Sequence, residues 1–355
     1  MFRWMKTALG LSILYLFSVA AAAPQMAGDA VEKYIKKKLR RNAQVLKING
    51  KNLGDEGVRT LAQSPLLENV STLVIYKANM TDEGVRALAE SPNLRNLKTL
   101  SLENNFITDR GAEILATSKT FSGLTALNLY RNKIEDAGAS KIAESTVLSG
   151  LVRLNLTYNR IHDEGVIRLT RSPNLKNLET LELGYNPLGK AGEEAWLRFG
   201  LIHKLKALHQ QDQLGQLGKF IFGDMGVYVL LDSPFAGELE ELNLQGNDLS
   251  DDAVVALAES SKLSRLVALN LARNNITDIG AKALARSERL SALKKLDLNY
   301  NRIGDSGAIA IAQSTQLAKL QSLKMGQNEI GNEGARALVE SKTLTELIHP
   351  IFGFY

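Results

Sequence analysis

The chain contains no cysteine. Disulfides, thiolate metal sites and thiol nucleophiles are therefore excluded together, and with them any ubiquitin ligase that works through a cysteine. Histidine is scarce. His162, His203, His209 and His349 lie far apart, and His203 and His209 are six residues apart, which keeps them off a common helical face. No nucleophile-elbow, zincin or kinase motif is present. Aromatic residues make up only 6% of the chain, so its core is filled by leucine. Beyond the first residues, no apolar run approaches the roughly 20 residues that a membrane-spanning helix needs. These absences point away from catalysis and from any bound metal or cofactor.

What the chain does contain is one text written many times. Residues 151–173 read L-x-x-L-x-L-x-x-N-x-I-x-D-x-G and then a short helical pattern. The same text begins at Leu124 and again at Leu178, 27 residues on. Its Asn falls at Asn105, Asn132, Asn159, Asn186, Asn247, Asn274, Asn301 and Asn328. Every step is 27 except one of 61, between Asn186 and Asn247. That gap holds a degenerate repeat at Asp224-Met225-Gly226, with Phe220 in the Asn position, plus about seven extra residues. Two upstream repeats carry Lys51 and Ala78 in that position, which makes about eleven repeats of 27 residues.

Each part of the unit has a physical task. Leu154 and Leu156 alternate with Asn155, the period of a short strand with one buried face. One strand per 27 residues stacks the strands in parallel. The Asn side chain bonds to backbone where the chain bends inward, satisfying groups that would otherwise cost roughly 1–3 kcal/mol each. Asp163 precedes Gly165 and a helical run, as an N-cap should, and Asp82, Asp109, Asp136, Asp278 and Asp305 take the same place. The helix, as at Gly280–Ala285, is rich in small residues and can lie close to its neighbours. A unit this small cannot bury its own face, so stability comes from stacking.

The leucine spacing, the ladder Asn and the Gly-Ala-x-x-Leu-Ala helix resemble the leucine-rich repeats of the ribonuclease-inhibitor-like subclass. They are also similar to the GALA repeats of secreted bacterial effectors. The resemblance runs from about Val45 to Leu347. The chain departs from ribonuclease inhibitor in its constant period and in its lack of cysteine, and from the GALA effectors in that the residues before Val45 in this sequence are expected to be too few for the F-box those effectors carry. The resemblance implies an α/β, right-handed solenoid, a horseshoe with a parallel concave sheet and convex helices, binding a protein partner on the concave face. An alternative implied by relatives is a secreted effector modulating a host regulator, for example by GTPase activation with Arg131 or Arg160 as the arginine, and a third reading is a cell-envelope scaffold held by the basic N-terminal helix.

The chain divides into a targeting segment (1–23), a basic capping helix (24–44), the solenoid (45–347) with an irregular insertion (193–219), and an apolar end (348–355). In the first, Arg3 and Lys6 precede an apolar run at residues 8–17 and the small residues of 18–23, the pattern of a cleavable secretory signal peptide. Export without disulfides suits a bacterial periplasm or exterior, so the sequons at Asn69, Asn79, Asn155 and Asn275 are read as chance. In the second, Val31, Tyr34, Ile35 and Leu39 share a helical face, with Lys33, Lys36, Lys37, Lys38, Arg40 and Arg41 around the rest. It reads as a cap over the first repeat, and Lys36, Lys37, Lys38, Arg40 and Arg41 imply a weak contact with an anionic membrane. Residues 23–41 carry a net +4 and residues 42–355 about −1, within a total of +5 to which Arg3 and Lys6 add two. The high pI therefore comes from this helix, which argues against nucleic acid along the solenoid.

On the concave face, Asn128, Asn155, Asn243, Asn270 and Asp297 form a polar row. Tyr76, Glu103, Tyr130, Arg131, Arg153, Tyr158 and Tyr185, with Arg273 and Tyr300, decorate it. Tyrosine and arginine dominate interface energetics. The stretch from Tyr76 to Tyr185, with Asn155 in it, is therefore the expected recognition patch. Residues 184–191 approach a phosphate-binding loop, but Ala191 lacks the hydroxyl that would meet Mg²⁺, and the repeat already accounts for the spacing. The insertion reads as a longer helix, with Trp196, Phe199, Leu201, Leu205 and Leu208, and a polar connector at 210–213. It is either a tolerated extension or a second contact. The apolar end is either a cap or a self-associating surface.

Overall fold

Each repeat turns its leucines inward on a short strand, bends at the ladder Asn, and returns through a helix laid against the next one. This computed structural model describes residues 25–218 and 223–348. The targeting segment, Phe220 and residues 349–355 lie outside the described residues.

Two compact units are present. The first contains α1 (Gly28–Leu39), β1 (Val45–Asn49), α2 (Gly54–Gln63), β2 (Thr72–Tyr76), α3 (Asp82–Ala89), β3 (Thr99–Ser101), α4 (Asp109–Thr117), β4 (Ala126–Asn128), α5 (Asp136–Glu144) and β5 (Arg153–Asn155). Its strands pair in parallel at an offset of one repeat, with Leu73, Leu100, Leu127 and Leu154 in register. The second contains α6 (Asp163–Thr170), β6 (Thr180–Glu182), α7 (Lys190–Gln210), α8 (Gly223–Asp232), β7 (Glu241–Asn243), α9 (Asp251–Glu259), β8 (Ala268–Asn270), α10 (Asp278–Arg286), β9 (Lys295–Asp297), α11 (Asp305–Ala312), β10 (Ser322–Lys324) and α12 (Asn332–Val339). There Leu242, Leu269, Leu296 and Leu323 are in register. Both units are α/β leucine-rich solenoids of parallel strands alternating with helices.

Three ladders of side-chain hydrogen bonds tie repeat to repeat. The first is the expected asparagine ladder. Asn132 Oδ1 accepts from the Ile107 N–H of the preceding repeat at 3.2 Å. Its Nδ2 donates to Leu102 O of that repeat and to Leu129 O and Tyr130 O of its own turn, at 3.0–3.4 Å. Asn159, Asn274, Asn301 and Asn328 repeat the pattern.

The second ladder corrects the expectation that each aspartate caps its own helix. Asp82, Asp109, Asp136, Asp163, Asp278 and Asp305 are the first helical residues, not the caps. The residue before each is the cap, and Thr81, Thr108 and Thr277 accept from a backbone N–H two residues on. Asp82, Asp109, Asp163, Asp278 and Asp305 instead reach forward to the next repeat. Asp251 accepts from the N–H and Oγ1–H of Thr277 and the N–H of Gly280, at 2.9, 2.6 and 2.9 Å. Asp82 does the same for Thr108, and Asp278 for Gly304 and Gly307. A carboxylate thus sits at the positive end of the next helix, where its charge is favoured. This close approach also explains the glycine of the D-x-G motif. A Cβ on Gly138 would lie 2.5 Å from Asp109 Oδ1 and 2.9 Å from Ile134 Cγ2.

The third ladder was not read from the residues. In several repeats the serine after the helix donates back to an alanine carbonyl of the preceding helix, as Ser118 does to Ala89 O at 2.9 Å, whereas Ser233 turns to Leu230 O of its own helix. Ser91, Ser145, Ser287, Ser314 and Ser341 do likewise. Ser64, at the start of the series, has a buried hydroxyl with no partner among the described residues, because the element before it is α1 rather than a repeat helix.

Helix α1 closes the first repeat. Val31 and Ile35 are buried, and α1 packs on α2 and β1. Just ahead of it, Met26 N–H and the Gln25 side chain bond to Asn52 O and Leu53 O. In the second unit the insertion is absorbed mainly by lengthening α7 to 21 residues. Its Leu201, Leu205 and Leu208 join the core, and Trp196 Nε1 donates to Leu181 O at 2.8 Å. Among the described residues the degenerate repeat contributes an isolated bridge, Gln216 with Asn243, in place of a strand. Gly215 stands where a strand leucine should be, and a Cβ there would meet Glu241 O at 2.7 Å.

Candidate partner-binding surface

The strand leucines are fully buried, so the residues between and after them make the opposite, solvent-facing surface. In the first unit Tyr76 ends β2 with 37% exposure. Arg153 is exposed at the start of β5, across from Ala126. Tyr130 is half-buried and packs edge-on against Tyr158, with ring centroids 5.3 Å apart and planes at 72°. That pair joins two consecutive repeats and is the clearest cluster among the residues expected at the site.

Two of the expected residues also serve the fold. Glu103 Oε1 accepts from Ser101 Oγ at 2.7 Å and from Asn128 Nδ2 at 3.0 Å, which ties β3 to β4. Asn155 Oδ1 accepts the Thr157 N–H at 2.9 Å, and Asn128, Asn243, Asn270 and Asp297 accept in the same way two residues on. The polar row seen in the sequence therefore tightens the turn after each strand.

Arg131 and Tyr158 share a second feature. The residue just before the ladder position has a φ of 51–67° in Gly50, Lys77, Asn104, Arg131, Tyr158, Tyr185, Gly246, Arg273, Tyr300 and Gln327. This left-handed conformation costs most L-residues roughly 1–2 kcal/mol, and glycine or asparagine relieves it. Arg131 is exposed, and Tyr158 is 40% exposed. Arg160, the other arginine considered, pairs with Glu135 at 3.5 Å.

Tyr185 belongs to the second unit, where it is 76% exposed. The same unit places Arg273 over the Tyr300 ring at 4.2 Å. Its strand face is also a shallow groove of about 260 Å³, whose lining includes Glu241, Lys295, Asp297 and Lys324. Lys324 Nζ lies 3.5 Å from Asp297. Reading the residues missed Glu241, Lys295 and Lys324. The signal for two of them was the column six residues before the ladder position, from which only Arg153 had been taken.

The near-miss phosphate loop is occupied from within. Gly189 precedes α7, and its N–H donates to Asp163 Oδ1 at 2.7 Å. A carboxylate at that helix end repels a phosphate. His203 Nδ1 faces Phe199 O, and His209 stacks on Phe235 and meets Glu238 at 2.9 Å. No group of three metal-ligating side chains occurs among the described residues, and no helix among them is long and apolar enough to cross a membrane.

Seven segments of the chain match the family model for the leucine-rich repeat: residues 93–116, 124–143, 151–169, 239–258, 264–285, 291–312 and 316–339. No curated protein matches by sequence. Among solved structures, an internalin of Listeria monocytogenes is 19% identical, with 91% of this chain and 88% of that one covered and a TM-score of 0.26. Proteins built from these repeats generally mediate protein–protein interaction and are typically non-catalytic. With the repeated leucine spacing, the asparagine ladder and seven matched repeats, this chain is a leucine-rich repeat protein.

Proposed function

We propose that this protein is an exported, non-catalytic module that binds a protein partner through the strand-side surface, centred in the first unit on Tyr76, Tyr130, Arg131, Arg153 and Tyr158. The observation that carries this reading is the placement of Arg131 and Tyr158. Both hold a left-handed backbone that asparagine or glycine would adopt at lower cost, and both turn a large side chain to solvent. The left-handed turn itself recurs from repeat to repeat, and what these two positions add is a large exposed side chain of the types that anchor interfaces. Glu103 and Asn155 shape this surface more than they extend from it. Tyr185 offers a further exposed ring in the second unit. The exposed cations of α1 support a separate contact with an anionic surface.

Export rests on the pattern of residues 1–23, and N-terminal sequencing of the protein from fractionated cells and medium tests it. A product beginning near Ala23 outside the cytoplasm is expected. For the binding surface, a photo-crosslinking residue at position 158 should capture a partner that the same residue at Lys141, on α5, does not. Tyr130→Ala/Tyr158→Ala should then weaken that purified partner by about 2 kcal/mol or more in calorimetry. Unchanged affinity would remove this surface from the interface.

A further inference from the structure

One end of the first unit carries a charge excess that the rest of the chain does not share. Residues 25–54 hold Lys33, Lys36, Lys37, Lys38, Arg40, Arg41, Lys47 and Lys51 against Asp29 and Glu32, a net of +6. Taking this block, with Arg3 and Lys6, from the chain's +5 leaves residues 55–355 at −3. The placement of these cations is ordered. Lys33, Lys36, Lys37 and Arg40 follow the i, i+3, i+4, i+7 spacing of one helical stripe, and Arg41 continues it just past α1. Val31 and Ile35, about half a turn away, are the buried residues of α1.

All of the stripe is exposed, as are Lys47 in β1 and Lys51 in the turn after it. Among the described residues no ion pair ties any of these cations to a carboxylate. Lys38 lies on the flank, with its Nζ 5.3 Å from the centre of the Tyr34 ring. Asp29 and Glu32 are confined to the N-terminal half of α1. The stripe is thus a solvated, unneutralised set of cations on a helix that packing against α2 and β1 holds in place.

We propose that α1 is a peripheral docking face for an anionic lipid bilayer. Two observations select this occupant. The apolar side of α1 is already used against the first repeat, so the contact is electrostatic, with lysine and arginine meeting headgroup phosphates and no side chain left to insert. The charge also falls to −3 beyond residue 54, so a long polyanion laid along the repeats would be repelled, whereas a surface that touches only this end meets a net +6 in which Asp29 and Glu32 are outnumbered by eight cations. The reading is independent of the strand-side surface.

Vesicle flotation of the full chain tests it, using phosphatidylcholine vesicles with about 30% phosphatidylglycerol against pure phosphatidylcholine. Association with the anionic vesicles is expected in about 0.1 M salt and is lost at about 0.5 M, where charges are screened over a few ångströms. K33E/K36E/K37E/R40E/R41E should weaken binding about tenfold or more, and K37E/R40E by a smaller step, each with an unchanged circular-dichroism melt. The charge-matched control R95E/K98E/K119E/K133E/K176E should still bind. Equal binding to neutral vesicles, or binding indifferent to salt, as the apolar run at residues 8–17 would produce, overturns the proposal. So does an equal loss in the control, or displacement of the chain from vesicles by duplex DNA at matched phosphate concentration.

Discussion

At the scale of the residue, the same two neighbours in each repeat do opposite things. Asn159 is buried and meets Leu129 O, Leu156 O and the Ile134 N–H. Asn159→Ala would leave these groups unpaired, at roughly 1–3 kcal/mol each before relaxation. A loss of about 3 kcal/mol in urea unfolding is expected, and a loss under 1 kcal/mol would mean that water replaces the ladder. Tyr158, one residue earlier, holds a φ of 56°. Tyr158→Asn should raise stability by up to ~1 kcal/mol, because asparagine tolerates this conformation. A lower urea midpoint would show that the ring, through its packing on Tyr130, contributes more than the strain costs. The asparagine was legible because it recurs every 27 residues. The strain at its neighbour was not, because that position varies in residue type and only its backbone is constant.

At the scale of the element, many of the helices begin under the control of the repeat before them. Asp251 belongs to α9 but bonds the start of α10. Asp251→Ala should therefore lower amide exchange protection at Thr277 and Gly280 and cost about 2 kcal/mol, more than the loss of a solvent-exposed cap alone. Protection lost only within α9 would restore the simpler capping role. The D-x-G spacing had suggested a self-contained N-cap. The forward reach could not be read from one repeat, since it requires knowing how closely successive helices lie. The same proximity makes Gly138→Ala destabilising by about 1–3 kcal/mol, because the new methyl must displace a carboxylate and an isoleucine.

At the scale of the whole molecule, stability is a sum over neighbouring repeats. Leu269 is in register with Leu242 and Leu296 in the second unit. Leu269→Ala should reduce hydrogen-exchange protection in β7 to β10 far more than in β1 to β5. A uniform loss across both sets would show that the chain unfolds all or none. Charge is also distributed at this scale: one end is basic and the repeats are slightly acidic.

The repeat period, the strand and helix of the regular repeats, the buried leucines and the asparagine ladder all followed from the sequence, because each depends on contacts that recur at a fixed interval. The basic face of α1 was legible for the same reason, being a local helical pattern. The tertiary structure decided what depends on distances between repeats. It turned the aspartates from caps into ties, made the serines a third ladder, committed Glu103 and Asn155 to the sheet and its turns, and placed Tyr185 in a different unit from Tyr76, Tyr130 and Tyr158. It also revealed the groove of Glu241, Lys295 and Lys324. Side chains one repeat apart meet only after stacking, and no pattern within a single 27-residue unit encodes which of them will touch.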